Sequence, residues 1–128
     1  MTVESDIATY LQTKGHGTLG SDLFIAFIRD SSLNQVVVFP TAGRAPHKVF
    51  DVRRPGFQIR VRNENYSTAR TKIDSIRSEL HSIVNTALSG TDYAYIYANQ
   101  DPVYLGKVRV GNGETNEFSI NFSTEIKD

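Results

Sequence analysis

The chain has 128 residues, with 14 basic and 14 acidic side chains, and it contains no cysteine. A chain of this length is expected to form a single domain, residues 1–128, that buries roughly two-thirds of its unfolded surface without a metal or a disulfide. The lack of cysteine excludes a disulfide scaffold, a cysteine-ligated zinc site and a thiol nucleophile, and no stretch reaches the ~20 apolar residues of a membrane-spanning helix.

The first third of the sequence predicts a helix followed by two strands. Apolar residues recur at helical spacing over residues 5–13, where Ser5 or Asp6 can cap the first turn. The run 23–28 is apolar on both faces, which predicts a strand that is covered on both sides or paired inside an assembly. Residues 35–39 predict a second strand, and the short polar turn before it favours an antiparallel hairpin.

The middle of the chain predicts a long loop and an alternating strand. Residues 40–56 hold three of the four prolines and show no sustained periodicity, so we expect a loop there. Residues 57–62 alternate, with apolar side chains on one face and Gln58, Arg60 and Arg62 on the other. One face of this strand is therefore expected to meet a core and the other to meet water or a partner.

A long amphipathic helix is predicted over residues 66–88. Its apolar positions recur at spacings of three and four, and a Ser-Gly pair closes it. The members of this apolar stripe are Ala69, Ile73, Ile76, Leu80, Ile83 and Ala87.

The last third of the sequence predicts three more strands. Residues 93–98 alternate, which places Tyr93, Tyr95 and Tyr97 on one face, where they can form a packing face or a subunit contact. Residues 103–110 and 117–125 flank a glycine-rich turn and predict a hairpin whose inward residues are Phe118, Ile120 and Phe122. The whole order predicts an α+β fold: a single, mainly antiparallel sheet of five or six strands packed on one long helix, plus a short N-terminal helix.

The zero net charge hides an uneven distribution of charge along the chain. Residues 44–77 carry a net charge of +6, residues 1–43 carry −2 and residues 78–128 carry −4. Three interpretations fit this asymmetry: a phosphate-binding face, a basic surface that meets an acidic surface on another copy, and ion pairing within one monomer.

The basic segment 44–77 supports an alternative function as a non-specific nucleic-acid-binding module. Its binding would weaken steeply with salt, and its candidate phosphate contacts are Arg60, Arg62, Arg70 and Arg77. Sequence-specific reading is disfavoured: residues 54–61 superficially resemble a strand of the RNA recognition motif, but polar residues occupy the exposed positions where aromatic rings would stack on bases.

No motif in the sequence supports catalysis, a cofactor or a metal. Gly15, Gly17 and Gly20 form a G-x-G-x-x-G pattern, but they follow a helix and precede a strand, which is the reverse of a dinucleotide-binding turn. The histidines, His16, His47 and His81, lack metal-ligand spacing. We therefore expect no enzyme activity, no cofactor and no metal, although catalytic groups can converge from distant positions.

The start of the chain does not resemble a signal peptide. Glu4 and Asp6 lie where such a peptide would be basic and then apolar. We expect a soluble protein that remains where it is translated and has no membrane partner.

Taken in order, several short stretches resemble bacteriophage minor capsid proteins of the tail-terminator, or tail-completion, type from long-tailed siphophages. The similarity spans nearly the whole chain. Its stretches are Asp6-Ile-Ala-Thr-Tyr-Leu-Gln, Gly17-Thr-Leu-Gly, Val36-Val-Val-Phe-Pro-Thr-Ala-Gly-Arg-Ala-Pro, Arg54-Pro-Gly-Phe-Gln-Ile-Arg-Val-Arg, Asn65-Tyr-Ser-Thr-Ala and Phe118-Ser-Ile-Asn-Phe. The resemblance implies an α+β structural protein of the virion without an active site.

The same resemblance implies a set of partners. They are other copies of the chain in a six-membered ring, the tail tube protein, a head-completion or connector protein, and DNA passing through the lumen. The ring would assemble in the host cytoplasm and would be located at the head-proximal end of the tail in the virion. Because a ring needs two different complementary patches on each subunit, we predict that the basic segment supplies one of them, through Arg44, Lys48, Arg53, Arg54, Arg60 and Arg62.

Overall fold

The computed structural model describes residues 2–29, 32–44, 52–111 and 113–127. Two helices, α1 (Val3–Thr13) and α2 (Tyr66–His81), lie against a mixed seven-stranded sheet. Its strands are β1 (Leu23–Ile25), β2 (Gln35–Arg44), β3 (Arg54–Asn63), β4 (Ile83–Leu88), β5 (Thr91–Ala98), β6 (Val103–Val110) and β7 (Gly113–Lys127). The α+β class is confirmed, while the sheet has more strands than expected and includes a parallel pair.

Strand β7 is the centre of the sheet. The strand order is β1-β2-β3-β7-β5-β4, and β6 pairs with the N-terminal half of β7 beyond the end of β5. The predicted hairpin of β6 and β7 is confirmed, and Phe118, Ile120 and Phe122 are buried as expected. Strand β7 is longer than the sequence indicated, because it carries the pairing of three neighbouring strands.

The main core lies between the helices and one face of the sheet. Apolar residues of α2 recur every three or four positions and cover the inward residues of β3, β5 and β7. Phe57 of β3 and Phe122 of β7 stack with ring centroids 4.8 Å apart. The fully buried residues include Ile7, Leu11, Ile59, Ile73, Ile76, Leu80, Phe118 and Ile120.

Helix α1 begins two residues earlier than predicted. Thr2 is its N-cap, and the Thr2 hydroxyl accepts a hydrogen bond from the Ser5 backbone N–H while the Ser5 side chain bonds back to Thr2. Asp6 is therefore free of a capping role and lies buried, where its Oδ2 accepts a 2.8 Å hydrogen bond from the Tyr93 hydroxyl.

Strands β1 and β2 are parallel, so the predicted antiparallel hairpin was wrong. Strand β1 has only three residues, because Ala26 adopts a left-handed backbone with φ 63° and turns the chain away. The Gln35 side chain then binds the Arg29 backbone N–H and C=O. Strand β2 therefore begins beside the start of β1 and runs in the same direction.

The predicted loop at 40–56 is strand at both of its ends, and residues 45–51 lie outside the described part of the chain. Pro40 pairs with Phe57, and Thr41 pairs with Gly56, so β2 and β3 extend into the segment from both sides. Pro40 is tolerated because the pairing of β1 with β2 stops at Val38, which leaves Pro40 on an open edge. A Cβ on Gly43 would lie 2.0 Å from the Arg54 carbonyl oxygen, so glycine here allows the close approach of β2 and β3.

Helix α2 ends at His81 rather than at residue 88. Ser82 is its C-cap, and the remaining residues form β4, which pairs with β5. The helical spacing was misleading because Ile83 is buried at the start of a strand, whereas Ala87, the last member of the predicted stripe, is exposed. The β-branched residues Ile83, Val84 and Thr86 favour the strand, and the Ser-Gly pair forms the β4–β5 turn with φ values of 51° and 84°.

The three tyrosines of β5 do not share a face. The register between β5 and β7 shifts between Tyr93 and Tyr95. This irregularity turns Tyr93 into the core, together with Ile96, while Tyr95 and Tyr97 lie together with ring centroids 5.4 Å apart. The predicted ladder was therefore wrong at its first member.

Candidate interaction surfaces

The sheet face opposite the helices carries a network of polar side chains. Gln58 and Arg60 of β3 lie beside Asn121 and Glu117 of β7 because the two strands pair in register. Gln58 Nε2 donates to Asn121 Oδ1 at 3.0 Å, and Arg60 Nε donates to Gln58 Oε1 at 2.8 Å. This face is therefore occupied by interlocked polar groups rather than by stacking rings.

Glu117 joins two of the predicted interface residues. Its side chain is 5% exposed, and its carboxylate accepts hydrogen bonds from Arg60 at 3.3 Å and from Arg62. The Arg60 guanidinium also lies 5.4 Å from the centre of the Phe39 ring. Arg60 and Arg62 are thus held by the chain itself, with their charges partly balanced by a buried carboxylate.

Ion pairing within the chain accounts for much of the uneven charge. Arg54 lies 3.2 Å from Glu125, and Arg70 lies 3.2 Å from Asp74. Arg77 approaches Asp101 at 3.8 Å. Arg54, Arg60, Arg62 and Arg77 thus pair with acidic residues of the C-terminal third, while Arg70 pairs within the basic segment. These pairs agree with the third interpretation of the charge pattern.

The six predicted interface residues fall into separate places. Arg44, Arg53 and Arg54 lie at one end of β2 and β3, where Arg44 and Arg54 are register partners. Arg53 is exposed, and its carbonyl accepts the Ile126 N–H at 2.9 Å. Arg60 and Arg62 lie toward the other end of β3, about 20 Å or more along the strand. Lys48 lies outside the described residues, so these positions do not form one continuous patch.

Edge strand β6 exposes three consecutive apolar side chains. Val103, Tyr104 and Leu105 are 44%, 41% and 48% exposed, and within the described chain no strand covers their outer side. Tyr66, at the start of α2, contacts Tyr104 with ring centroids 5.1 Å apart. An exposed apolar patch on an open strand edge is typical of a protein–protein contact. The consecutive apolar residues, which break strand alternation, are the signal that could have revealed it.

The opposite edge of the sheet carries an apolar groove. It has a volume of about 480 Å³ and lies along β1, with Arg29 at its rim 5.9 Å from the centre of the Phe24 ring. Phe27 is 55% exposed and contacts Phe24 at a ring separation of 5.1 Å. The lining is completed by Leu19, Gly20, Leu23 and Ile25.

A polar cleft beside α2 contains the one buried histidine that the structure describes. Burial lowers the pKa of His16, and nearby Lys72 lowers it further, against the opposing effect of Glu79. Lys72 Nζ donates to the His16 carbonyl at 3.2 Å. In residues 2–29, 32–44, 52–111 and 113–127, no hydroxyl bonds to His16 or His81, and no group of three acidic or histidine side chains could hold a metal. His47 lies outside the described residues.

None of the helices described is long and apolar enough to span a membrane.

Comparison with known proteins identifies a family. A family model described as bacteriophage tail terminator protein matches residues 10–128. The chain also aligns over 100% of its length, and 100% of the other chain, with a chain of a structure titled "Virion of native gene transfer agent (GTA) particle", at a TM-score of 0.61 and 14% identity. A second solved structure aligns over 94% of this chain and 89% of the other, at a TM-score of 0.50 and 10% identity. No curated protein matches the sequence.

Proposed function

Because the chain belongs to the bacteriophage tail terminator family, we propose that it forms a ring at the head-proximal end of the tail tube, stops polymerisation of the tube and presents a surface to the head connector. The family match over residues 10–128 is the observation that carries this proposal. Assembly in the host cytoplasm precedes incorporation into the virion. The role is structural, and no reaction is assigned to the chain.

The two apolar surfaces at opposite edges of the sheet support a ring. A ring requires that one patch on each subunit contacts a different patch on its neighbour. The groove along β1 and the exposed side chains of β6 are two such patches, and they lie on different strands. Six copies would close the ring, with the polar face of the sheet available to line a lumen through which DNA passes.

Tails assembled without this protein test the proposal. We expect electron microscopy to show overlong tubes, because nothing would stop the addition of tube subunits. Addition of the purified protein to polymerising tube protein should restore short, capped tubes, and an unrelated protein of similar size is the control. Tubes of normal length without the protein would contradict the proposed function.

We propose that Arg44 and Arg53, at the end of the β2–β3 pair, contact the tube protein or a neighbouring subunit, together with Lys48, which follows Arg44 by four positions in the sequence. Arg53→Glu should reduce the fraction of capped tube ends, counted by electron microscopy, because it reverses the charge of an exposed side chain. The free energy of unfolding should change by less than about 0.5 kcal/mol. Lys14→Glu, an equal charge change at the exposed C-cap of α1, is the matched control. A normal fraction of capped tube ends with the Arg53 variant would show that Arg53 is not part of the interface.

A further inference from the structure

Two segments of the chain carry the same order of charge around an apolar run. The first extends from Asp22 through β1 to Arg29, and the second from Asp101 through the start of β6 to Lys107. In each segment an acidic residue precedes the apolar run and a basic residue follows it, separated by seven and six positions. Two such segments placed antiparallel therefore oppose unlike charges at both ends.

The segments lie at opposite edges of the sheet and differ in shape. Residues 22–29 border the concave groove that contains Phe24 and exposes Phe27. Val103 and Leu105 are instead exposed on edge strand β6, on either side of Tyr104, whose ring packs against Tyr66 and Phe118. The side chain of Asp101 is 88% exposed and that of Lys107 is 67% exposed, so both remain accessible despite long contacts with Arg77 and Glu114.

We propose that β6 of one subunit docks antiparallel along the β1 groove of the next copy, an inference that rests on the ring proposed above. Leu105 and its neighbours enter the groove beside Phe27, Asp101 faces Arg29 of the neighbouring copy, and Lys107 faces Asp22. The buried apolar centre supplies affinity, and the two charge pairs at its rim fix the direction and register.

The backbone of β1 favours side-chain docking over simple extension of the sheet. The Leu23 N–H already donates to the Thr18 carbonyl at 3.2 Å, and the Leu23 carbonyl accepts the Gly20 N–H at 3.0 Å. The outer-edge N–H and C=O of Leu23 are therefore already bonded, and the groove offers apolar side chains for docking. A contact between unlike surfaces repeats from copy to copy and closes a ring, whereas two-fold pairing of β6 with itself stops at a dimer and leaves the groove empty.

Cysteine cross-linking in purified tails tests the contact. The natural chain has no cysteine, so Phe27→Cys and Leu105→Cys introduce the only thiols into this protein. With both changes in one chain, a short bis-maleimide should produce a ladder of covalent oligomers up to the closed ring. A one-to-one mixture of the two single variants should produce nothing beyond covalent dimers. A chain with Phe27→Cys and Ser75→Cys, the latter at an exposed site on α2, is the matched control and should lose the ladder.

The outcomes separate this inference from the proposed function. Covalent dimers from the Leu105→Cys variant alone would indicate two-fold pairing of β6 and overturn the contact. Rings seen at the tail end without cross-links between positions 27 and 105 would also overturn it, while the ring itself would stand. Absence of the protein from tail ends would overturn both.

Discussion

Glu117→Ala should lower the free energy of unfolding by about 3 kcal/mol, one of the largest effects of a single polar substitution in this chain. The Glu117 carboxylate lies between Arg60 and Arg62 on the helix-free face of the sheet. The Arg62 side chain is only 12% exposed, so removal of the carboxylate leaves a poorly hydrated guanidinium without its acidic partner. Urea unfolding at neutral pH measures the change.

Glu125→Ala is the matched control for this prediction. It breaks the same kind of pair, with Arg54, on the same strand, but both side chains are about a quarter exposed, at 25% and 24%. Water can replace the lost contact there, so the expected loss is about 1 kcal/mol or less. Equal losses from the two variants would show that the burial of Glu117 does not matter.

The ion pairs of Glu117 with Arg60 and Arg62 also show how far the uneven charge of the sequence could predict binding partners. Composition alone left open whether the basic middle segment binds a partner or its own chain. The choice depends on β3 and β7 being neighbours, which places Arg62 opposite Glu117 although they are 55 positions apart. The order of strands in a sheet depends on the topology of the whole chain, so a local sequence pattern cannot predict it.

Secondary-structure predictions from local patterns were confirmed where the sequence fits only one periodicity, either that of a helix or that of a strand. The alternation of residues 57–62 and the apolar stripe of residues 69–80 both appear in the structure. The helix prediction failed at residues 83–88 because Ile83 continues the helical spacing and is equally suited to a buried strand position, while Ala87 is exposed. Residues 40–44 failed because proline and glycine mark an open edge and a close strand crossing as well as a loop.

The candidate contact surfaces were the least predictable part of the molecule. Leu23–Ile25 and Val103–Leu105 are both short apolar runs in the sequence. The first contributes two buried residues, whereas all three residues of the second are exposed, because β6 lies at an edge of the sheet. Whether an apolar run is exposed depends on the position of its strand in the sheet, and this position cannot be predicted from the run itself.

Tyr93→Phe should lower the free energy of unfolding by about 2 kcal/mol, although it removes a single oxygen atom. The Tyr93 hydroxyl is the hydrogen-bond donor to Asp6 Oδ2, and the other carboxylate oxygen of Asp6 has no hydrogen-bond partner in the described part of the chain. Asp6 is 1% exposed, so the variant leaves its carboxylate buried without this donor. Adding Asp6→Leu should recover part of the loss, because both polar partners are then absent.

Alkaline pH provides a second measure of the same contact. Burial raises the pKa of the Tyr93 phenol, and the hydrogen bond to Asp6 raises it further, from an ordinary value of 10.0. The stabilisation is therefore complete below pH 10 and declines above it, because the unfolded chain then loses the phenolic proton while the folded chain keeps it. The natural protein should lose about 1.4 kcal/mol per pH unit more than Tyr93→Phe over this range. Parallel losses in urea unfolding at about pH 8 and about pH 11 would contradict this account, since the other tyrosines titrate in both proteins.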